Sequence, residues 1–204
     1  SVSASYAFLK VLLYQFRSRY PAVEIQLHTG DTAWTIQRIL EEQEDIGIAA
    51  RPDHLPEKLR FKPIGESPLV FIAPAAECPL KKLLEQYAGK PDLLPWAEIP
   101  MVLSETGLAR QRVNGWFRDR GINPQVYAQV TGNEAIVSMV SLGFGIGVVP
   151  ELVVENSPKQ ANVSVLPIKP ELEPFCIGIC SLRRRLTNPL ISAFWEMADS
   201  PSPS

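Results

Sequence analysis

The sequence predicts an α/β protein made of two similar lobes. Three observations carry that prediction. The chain opens helix–strand–helix–strand, the order of a parallel α/β sheet. The same order returns about a hundred residues later, and short apolar strands alternate with amphipathic helices through the remainder. At 204 residues, with 46% hydrophobic and 21% charged side chains, the chain is long enough to bury a core in each lobe.

"SASYAFLKVLLYQFRSRYP" (3–21) is the clearest helix. Phe8, Leu9, Leu12, Leu13 and Phe16 form one apolar stripe, Ser3 or Ser5 caps the start, and Pro21 stops it. "VEIQL" (23–27) alternates as a strand. Asp31 then caps a second helix, 32–44, and "IGIAA" (46–50) is a short buried strand. A helix is an unusual opening for such a sheet, and the chain begins "SVSASY" without Met. A fragment or processed product is therefore expected, with a strand preceding the first helix.

Further along, "PLVFIAPA" (68–75) is a strand and "CPLKKLLEQYAGKP" (78–91) a helix and loop. Residues 99–121 read as strand, turn and helix. "VSVLPI" (163–168) and "FCIGICSL" (175–182) are strands, with "LRRRL" (182–186) a solvated turn. The last helix (187–198) has Asn188 as N-cap, Pro189 at its first position, and Leu190, Ile191, Phe194 and Trp195 as its apolar face. "DSPSPS" is expected to be disordered.

The internal similarity sets residues 15–40 against 116–141. Both carry Phe-Arg-x-Arg near a helix end (Phe16, Arg17, Arg19; Phe117, Arg118, Arg120). Both continue through a strand to Thr-Gly-Asp or Thr-Gly-Asn and into an amphipathic helix.

"VSLGFGIGVVPE" (140–151) superficially resembles a glycine-rich phosphate loop. Such a loop runs strand, turn, helix, because the helix start supplies the N–H groups. Here the helix "EAIVSMVSL" (134–142) comes first and the strand "IGVVP" follows. Gly143 is thus read as the left-handed residue that ends a helix, and Gly145 and Gly147 as sites of close packing in a strand.

Ligands of open α/β sheets sit outside the carboxyl ends of the strands. Four strand-to-helix junctions qualify: Ser3 to Ser5, "TGDT" (29–32), "SETGL" (104–108) and "TGNE" (131–134), where Asn133 is expected to cap its helix. Together they suit a small anion. Catalytic equipment is not expected: there is no Ser-His-Asp set and no identifiable pair of buried carboxylates. With His28 and His54 apart from any cysteine or carboxylate cluster, a metal site is not expected either, and no cofactor is predicted. Cys78, Cys176 and Cys180 cannot all pair. Cys176 and Cys180 lie about 13 Å apart along a strand, so reduced thiols are expected. The net charge of −2 argues against nucleic-acid binding by this chain itself, and no apolar run reaches membrane-spanning length.

In their order, "FRSRYPAVEIQL", "EDIGIAA", "ESPLVFIAP…CPL" and "GNEAIVSMVSLGFGIGVVPE" resemble the effector-binding domain of LysR-type transcriptional regulators, over residues 1–198. "VVENSP" (153–158) and "PLISAFWEM" narrow the resemblance to activators of branched-chain amino-acid biosynthesis. The resemblance implies two Rossmann-like subdomains of periplasmic-binding-protein type II kind joined by two crossover strands. Subdomain I would be 1–66 plus 172–204, and subdomain II 67–171. It implies a cytoplasmic sensor that is not an enzyme and has no cofactor, metal or membrane contact. Its effector would be a small carboxylate, such as acetolactate or acetohydroxybutyrate, held between the subdomains. The implied effector residues are Ser3, Ser5, Thr32, Ala50, Arg51, Ser104, Thr106, Gly107, Leu108 and Asn133, with Arg51 or Arg110 suited to the carboxylate. A homodimer through helices such as 32–44 and 134–142 is implied too, and a tetramer for a full-length protein; Trp34 or Ile36 would either serve that contact or be buried within the subdomain. DNA would be bound only through an N-terminal domain outside this sequence. The alternative is a transport-type solute-binding protein of the same fold.

Overall fold

The computed structural model describes residues 2–28, 32–90 and 93–198, with side chains from residue 9 onward. It divides into two units: Ser1–Ser67 with Phe175–Ser204, and Pro68–Pro174. The predicted Asp31 cap and the "DSPSPS" tail lie outside the described residues.

In the first unit, α1 (Val2–Arg19) is followed by α2 (Thr32–Leu40), β1 (Gly47–Ala50) and β2 (Leu59–Ser67). After the second unit the chain returns as β8 (Phe175–Leu182), a short 3-10 turn over Arg183–Thr187, and α7 (Pro189–Met197). The strand order is β1-β8-β2, with both pairings antiparallel. Pleating sends alternate β8 side chains to opposite faces. Ile179 joins Leu12 of α1 and Trp195 of α7, while Cys180 and Leu182 join Ile36 and Ile39 of α2. Gly47 lets α2 approach that closely: a Cβ there would stand 2.5 Å from Thr35 Cγ2 and 2.6 Å from Ile39 Cδ1.

Four expectations are corrected here. α1 already starts at Val2, so Ser3 and Ser5 are not its caps; their side chains, like that of Phe8, lie outside the described residues. Residues 23–28 make no strand ladder with any of the described residues. The described sheet of this unit is antiparallel rather than parallel. Leu190, expected on the apolar face of α7, is exposed, whereas Ile191 and Trp195 are buried.

Burial also fixes the chemistry of Cys180. Its thiol is pushed up from 9.0 to about 12 by desolvation among apolar side chains. An unfolded chain releases this proton near pH 9 while the folded chain retains it, so stability falls as pH rises between about 9 and 12. The slope contributed by this group reaches about 1.4 kcal/mol per pH unit. Urea denaturation at alkaline pH is expected to show a shallower decline for Cys180→Ala than for the parent. Equal declines would refute the assignment.

The second unit contains β3 (Leu69–Pro74), α3 (Pro79–Gln86), β4 (Pro100–Ser104), α4 (Leu108–Arg118) and β5 (Gln125–Val130), then α5 (Asn133–Ser141), β6 (Ile146–Pro150), α6 (Glu151–Asn156) and β7 (Val163–Leu166). The sheet order is β5-β4-β6-β3-β7. β4 is parallel to β5 and β6, while β3 is antiparallel to β6 and β7. Successive β3 residues again part company. Ile72 packs with Ile136, Val137 and Val140 of α5, whereas Phe71 stacks among Trp96, Trp116 and Phe117.

"VSLGFGIGVVPE" connects α5 to β6 as its helix-then-strand order requires. Gly143 has φ 85°. Its N–H donates to the Val140 carbonyl at 2.9 Å, and the Phe144 N–H to the Met139 carbonyl at 3.3 Å, the paired bonds of a Schellman helix end. Gly145 packs against the Pro100 backbone, and Gly147 lies under Ile136 and Val140.

Candidate functional site

The carboxyl ends of β4 and β5 lie side by side, with Ser104 opposite Val130. The Glu105 N–H donates to the Val130 carbonyl at 3.1 Å, which ties the two ends together. Each strand then turns through a glycine with positive φ into a helix: Gly107 (93°) before α4 and Gly132 (92°) before α5. Both glycines occupy the N-cap position, and at neither does a side chain accept a hydrogen bond from the helix.

The other helices contrast with these where their starts are described. At α7 the Asn188 Oδ1 accepts from the Leu190 and Ile191 N–H groups, and at α3 the Cys78 Sγ accepts from the Lys81 N–H. The first N–H of α6 is taken by the Pro68 carbonyl at 2.9 Å. Uncapped opening amides of α4 and α5 thus meet at one end of one sheet. Each contributes the partial positive charge of a helix start, worth about 0.3–1 kcal/mol toward a carboxylate.

Arg110 stands on the first turn of α4 beside these ends. One guanidinium nitrogen donates to the Ser104 carbonyl and to Gln129 Oε1, each at 2.9 Å, and Nε donates to Asn114 Oδ1 at 3.0 Å. These bonds hold a cation at the carboxyl edge of the sheet and leave Thr106 exposed next to it. Arg51 is exposed: its guanidinium lies 5.8 Å from the Phe61 ring centre, and its backbone N–H donates to the Cys176 carbonyl.

The second unit therefore brings Ser104, Thr106, Gly107, Leu108 and Asn133 to one end of its sheet. One detail is corrected. Asn133 is the first helical residue rather than the cap, because Gly132 makes the left-handed turn that the junction needs. In the first unit, Ala50 ends β1, Arg51 follows it, and Thr32 opens α2 beside an apolar groove. Ser3 and Ser5 are in the first turns of α1, with side chains outside the described residues. Sequence reasoning missed Gln129. Its signal was its place on an exposed strand just before a junction already identified.

The described residues contain no group of three or more His, Cys, Asp and Glu side chains arranged to hold a metal, and no helix among them is long and apolar enough to cross a membrane.

The chain matches the LysR substrate binding domain over residues 1–200. It is 42% identical to the HTH-type transcriptional activator IlvY of Haemophilus influenzae over 200 residues, which is 98% of this chain and 67% of that protein. It is 40% identical to the HTH-type transcriptional regulator IlvY of Escherichia coli, over 97% of this chain and 66% of that protein. The chain thus spans about two thirds of the length of these relatives. Among solved structures, the regulatory domain of Synechocystis CcmR in complex with 2-PG aligns with TM-score 0.78 at 22% identity, covering 96% of this chain and 91% of that one. The effector binding domain of QuiR in complex with shikimate aligns with TM-score 0.74 at 23% identity, covering 93% and 88%. These relatives are transcriptional regulators, and the matched region is a regulatory rather than a catalytic one. The chain belongs to the LysR substrate-binding domain family.

Proposed function

We propose that this chain is the effector-sensing domain of a cytoplasmic LysR-type activator of branched-chain amino-acid biosynthesis, and that its effector is a small carboxylate such as acetolactate or acetohydroxybutyrate. The observation that carries this reading is the pair of uncapped helix starts at Gly107 and Gly132, with Arg110 anchored beside them. The opening amides and Arg110 suit the carboxylate. The hydroxyls of Ser104 and Thr106 and the amide of Asn133 suit a neighbouring hydroxyl and ketone, with Gly107 and Leu108 offering backbone N–H groups. Thr32, Ala50 and Arg51, and Ser3 and Ser5, are the positions proposed to contribute from the first unit.

The proposed mechanism is a shift between domain shapes. Effector favours one shape by its differential affinity, commonly about 1–3 kcal/mol of coupling, and so alters how attached DNA-binding domains engage an operator. We further propose a homodimer through helices 32–44 and 134–142, within a tetramer of the full-length protein, with DNA reached only through a separate domain. Exposed apolar side chains on each unit support this: Trp34 on α2 of the first is partly exposed, and in the second Leu142 at the end of α5 is 72% exposed and Tyr127 stacks on Phe144 with ring centres 6.1 Å apart. Ile36 takes no part, because it is buried against Ile39 and Leu59.

Calorimetry tests the effector assignment. Acetolactate is expected to bind at one site per chain at least about tenfold more tightly than lactate, acetate or sulfate, a difference of about 1.4 kcal/mol. Equal, weak responses to all four would sink it.

A further inference from the structure

Arg110 is held at the carboxyl edge of the second unit's sheet by neutral oxygens. One terminal nitrogen donates to the Ser104 carbonyl and to Gln129 Oε1, and Nε donates to Asn114 Oδ1. The other terminal nitrogen keeps its two N–H groups without a partner among the described residues. Several other arginines meet a carboxylate where they stand: Arg38 at Glu44, Arg112 at Glu173, Arg184 at Glu42 and Arg185 at Asp45. Among the described residues no carboxylate makes such a pair with Arg110.

The fold arranges this from three elements. Ala128 and Val130 of β5 pack against the core that α5 covers, so pleating turns Gln129 to the opposite face of the sheet, where it meets Arg110 of α4. Ser104 ends β4 in register with Val130, which brings its carbonyl beside Gln129. Asn114 lies one helical turn beyond Arg110 and holds Nε. The acids at the two junctions are engaged elsewhere. The Glu134 carboxylate accepts from the hydroxyl of buried Ser157 at 3.0 Å, and the Ser157 oxygen in turn accepts from the Lys159 N–H at 3.2 Å. Glu105 contributes its backbone N–H, to the Val130 carbonyl.

The neutrality of the tether has a chemical consequence. Glutamine and glutamate have the same length and present an oxygen at the same place. A carboxylate at position 129 would grip the guanidinium more firmly, yet its charge would cancel most of the field that an arriving anion feels. A hydrocarbon there would leave the charge intact but release the side chain, so that binding would have to order it again.

We propose that Gln129 is the positioning residue that makes Arg110 an anion receptor: its neutral oxygen fixes the guanidinium and leaves the positive charge uncompensated. The proposal rests on the reading that a small carboxylate occupies the starts of α4 and α5. It adds that the charge at position 129 decides whether this site accepts an anion.

The test is calorimetry on the parent chain, Gln129→Glu and Gln129→Leu, with acetolactate and, as a chemically unrelated anion, sulfate. Gln129→Glu is expected to weaken acetolactate binding about a hundredfold, and sulfate binding at least as much, because a dianion is repelled more strongly. Gln129→Leu is expected to weaken each only about three- to tenfold. Without ligand, Gln129→Glu is expected to melt at or above the temperature of the parent, which separates loss of charge from loss of fold. Parent-like affinity of Gln129→Glu for either anion would overturn the proposal. Equal losses in the two variants would overturn it too, since a tether alone would then explain them, and so would a parent that binds neither anion. A parent that binds acetolactate no more tightly than sulfate, with the expected order of variants for sulfate, would reject the effector reading and uphold the role of Gln129.

Discussion

Gly145→Ala is expected to destabilise the protein by about 3 kcal/mol and to lower its melting temperature by about 10 °C. A Cβ at Gly145 would stand 2.4 Å from the Pro100 carbonyl oxygen and 2.9 Å from its carbon. Real Cβ atoms essentially never approach a neighbour within 3.0 Å. The obstructing atoms are backbone, so no side chain can swing aside. Pro100 begins β4 and is in register with Gln125 of β5, while the next residue, Met101, pairs with Ile146 of β6. Moving Pro100 therefore strains both ladders that carry the candidate site. Gly65→Ala provides the control: nothing lies within 4 Å of a Cβ there, and its φ is not positive, so it is expected to be nearly neutral. Thermal unfolding of the two variants side by side checks the argument. Equal melting temperatures would show that the close approach at Gly145 has no energetic weight.

The second large effect concerns the proposed effector. At about a hundred times its dissociation constant, acetolactate is expected to stabilise the folded chain by about 2.7 kcal/mol and to raise the melting temperature by about 5–10 °C. Arg110→Met keeps the apolar stem and removes the cation together with its bonds to Ser104, Gln129 and Asn114. Charge-assisted hydrogen bonds contribute about 1.5–3 kcal/mol, so affinity is expected to fall about 10- to 100-fold and the thermal shift to shrink to a few degrees. Arg110 is half-exposed, so the melting temperature without ligand is expected to change little. A full shift retained by the variant would remove Arg110 from the site.

Some features of this fold are encoded within a few residues of sequence and others are not. The end of α5 was readable because Gly143 follows a helical apolar pattern and precedes a strand, and only glycine takes φ 85° without cost. The start of α7 was readable for the same kind of reason: Asn188 and Pro189 act on atoms two or three residues away. The "VEIQL" stretch shows the limit. Its alternation makes it competent to form a strand, yet a ladder is a property of two backbones, and residues 23–28 have no described partner. The antiparallel pairing of β1 with β8 is likewise set by a segment about 130 residues away, which local order could not reveal.

The candidate site was legible at the level of junctions and less so at the level of atoms. "SETGL" and "TGNE" were located because strand-to-helix turns expose amides wherever they occur. That Gly132 rather than Asn133 holds the cap position depends on backbone dihedrals. That Arg110 is tethered depends on Gln129, which reaches it from the neighbouring strand β5. The family assignment required neither detail, since it rests on the ordered pattern of the whole chain.

The central claim, that a small carboxylate is held by the uncapped starts of α4 and α5, is tested most directly by backbone amide NMR during titration with acetolactate. Within the second unit the largest shift changes are expected on the amides of residues 106–110 and 132–135, saturating together. Changes centred instead on the capped start of α3, or spread evenly over the unit, would contradict it.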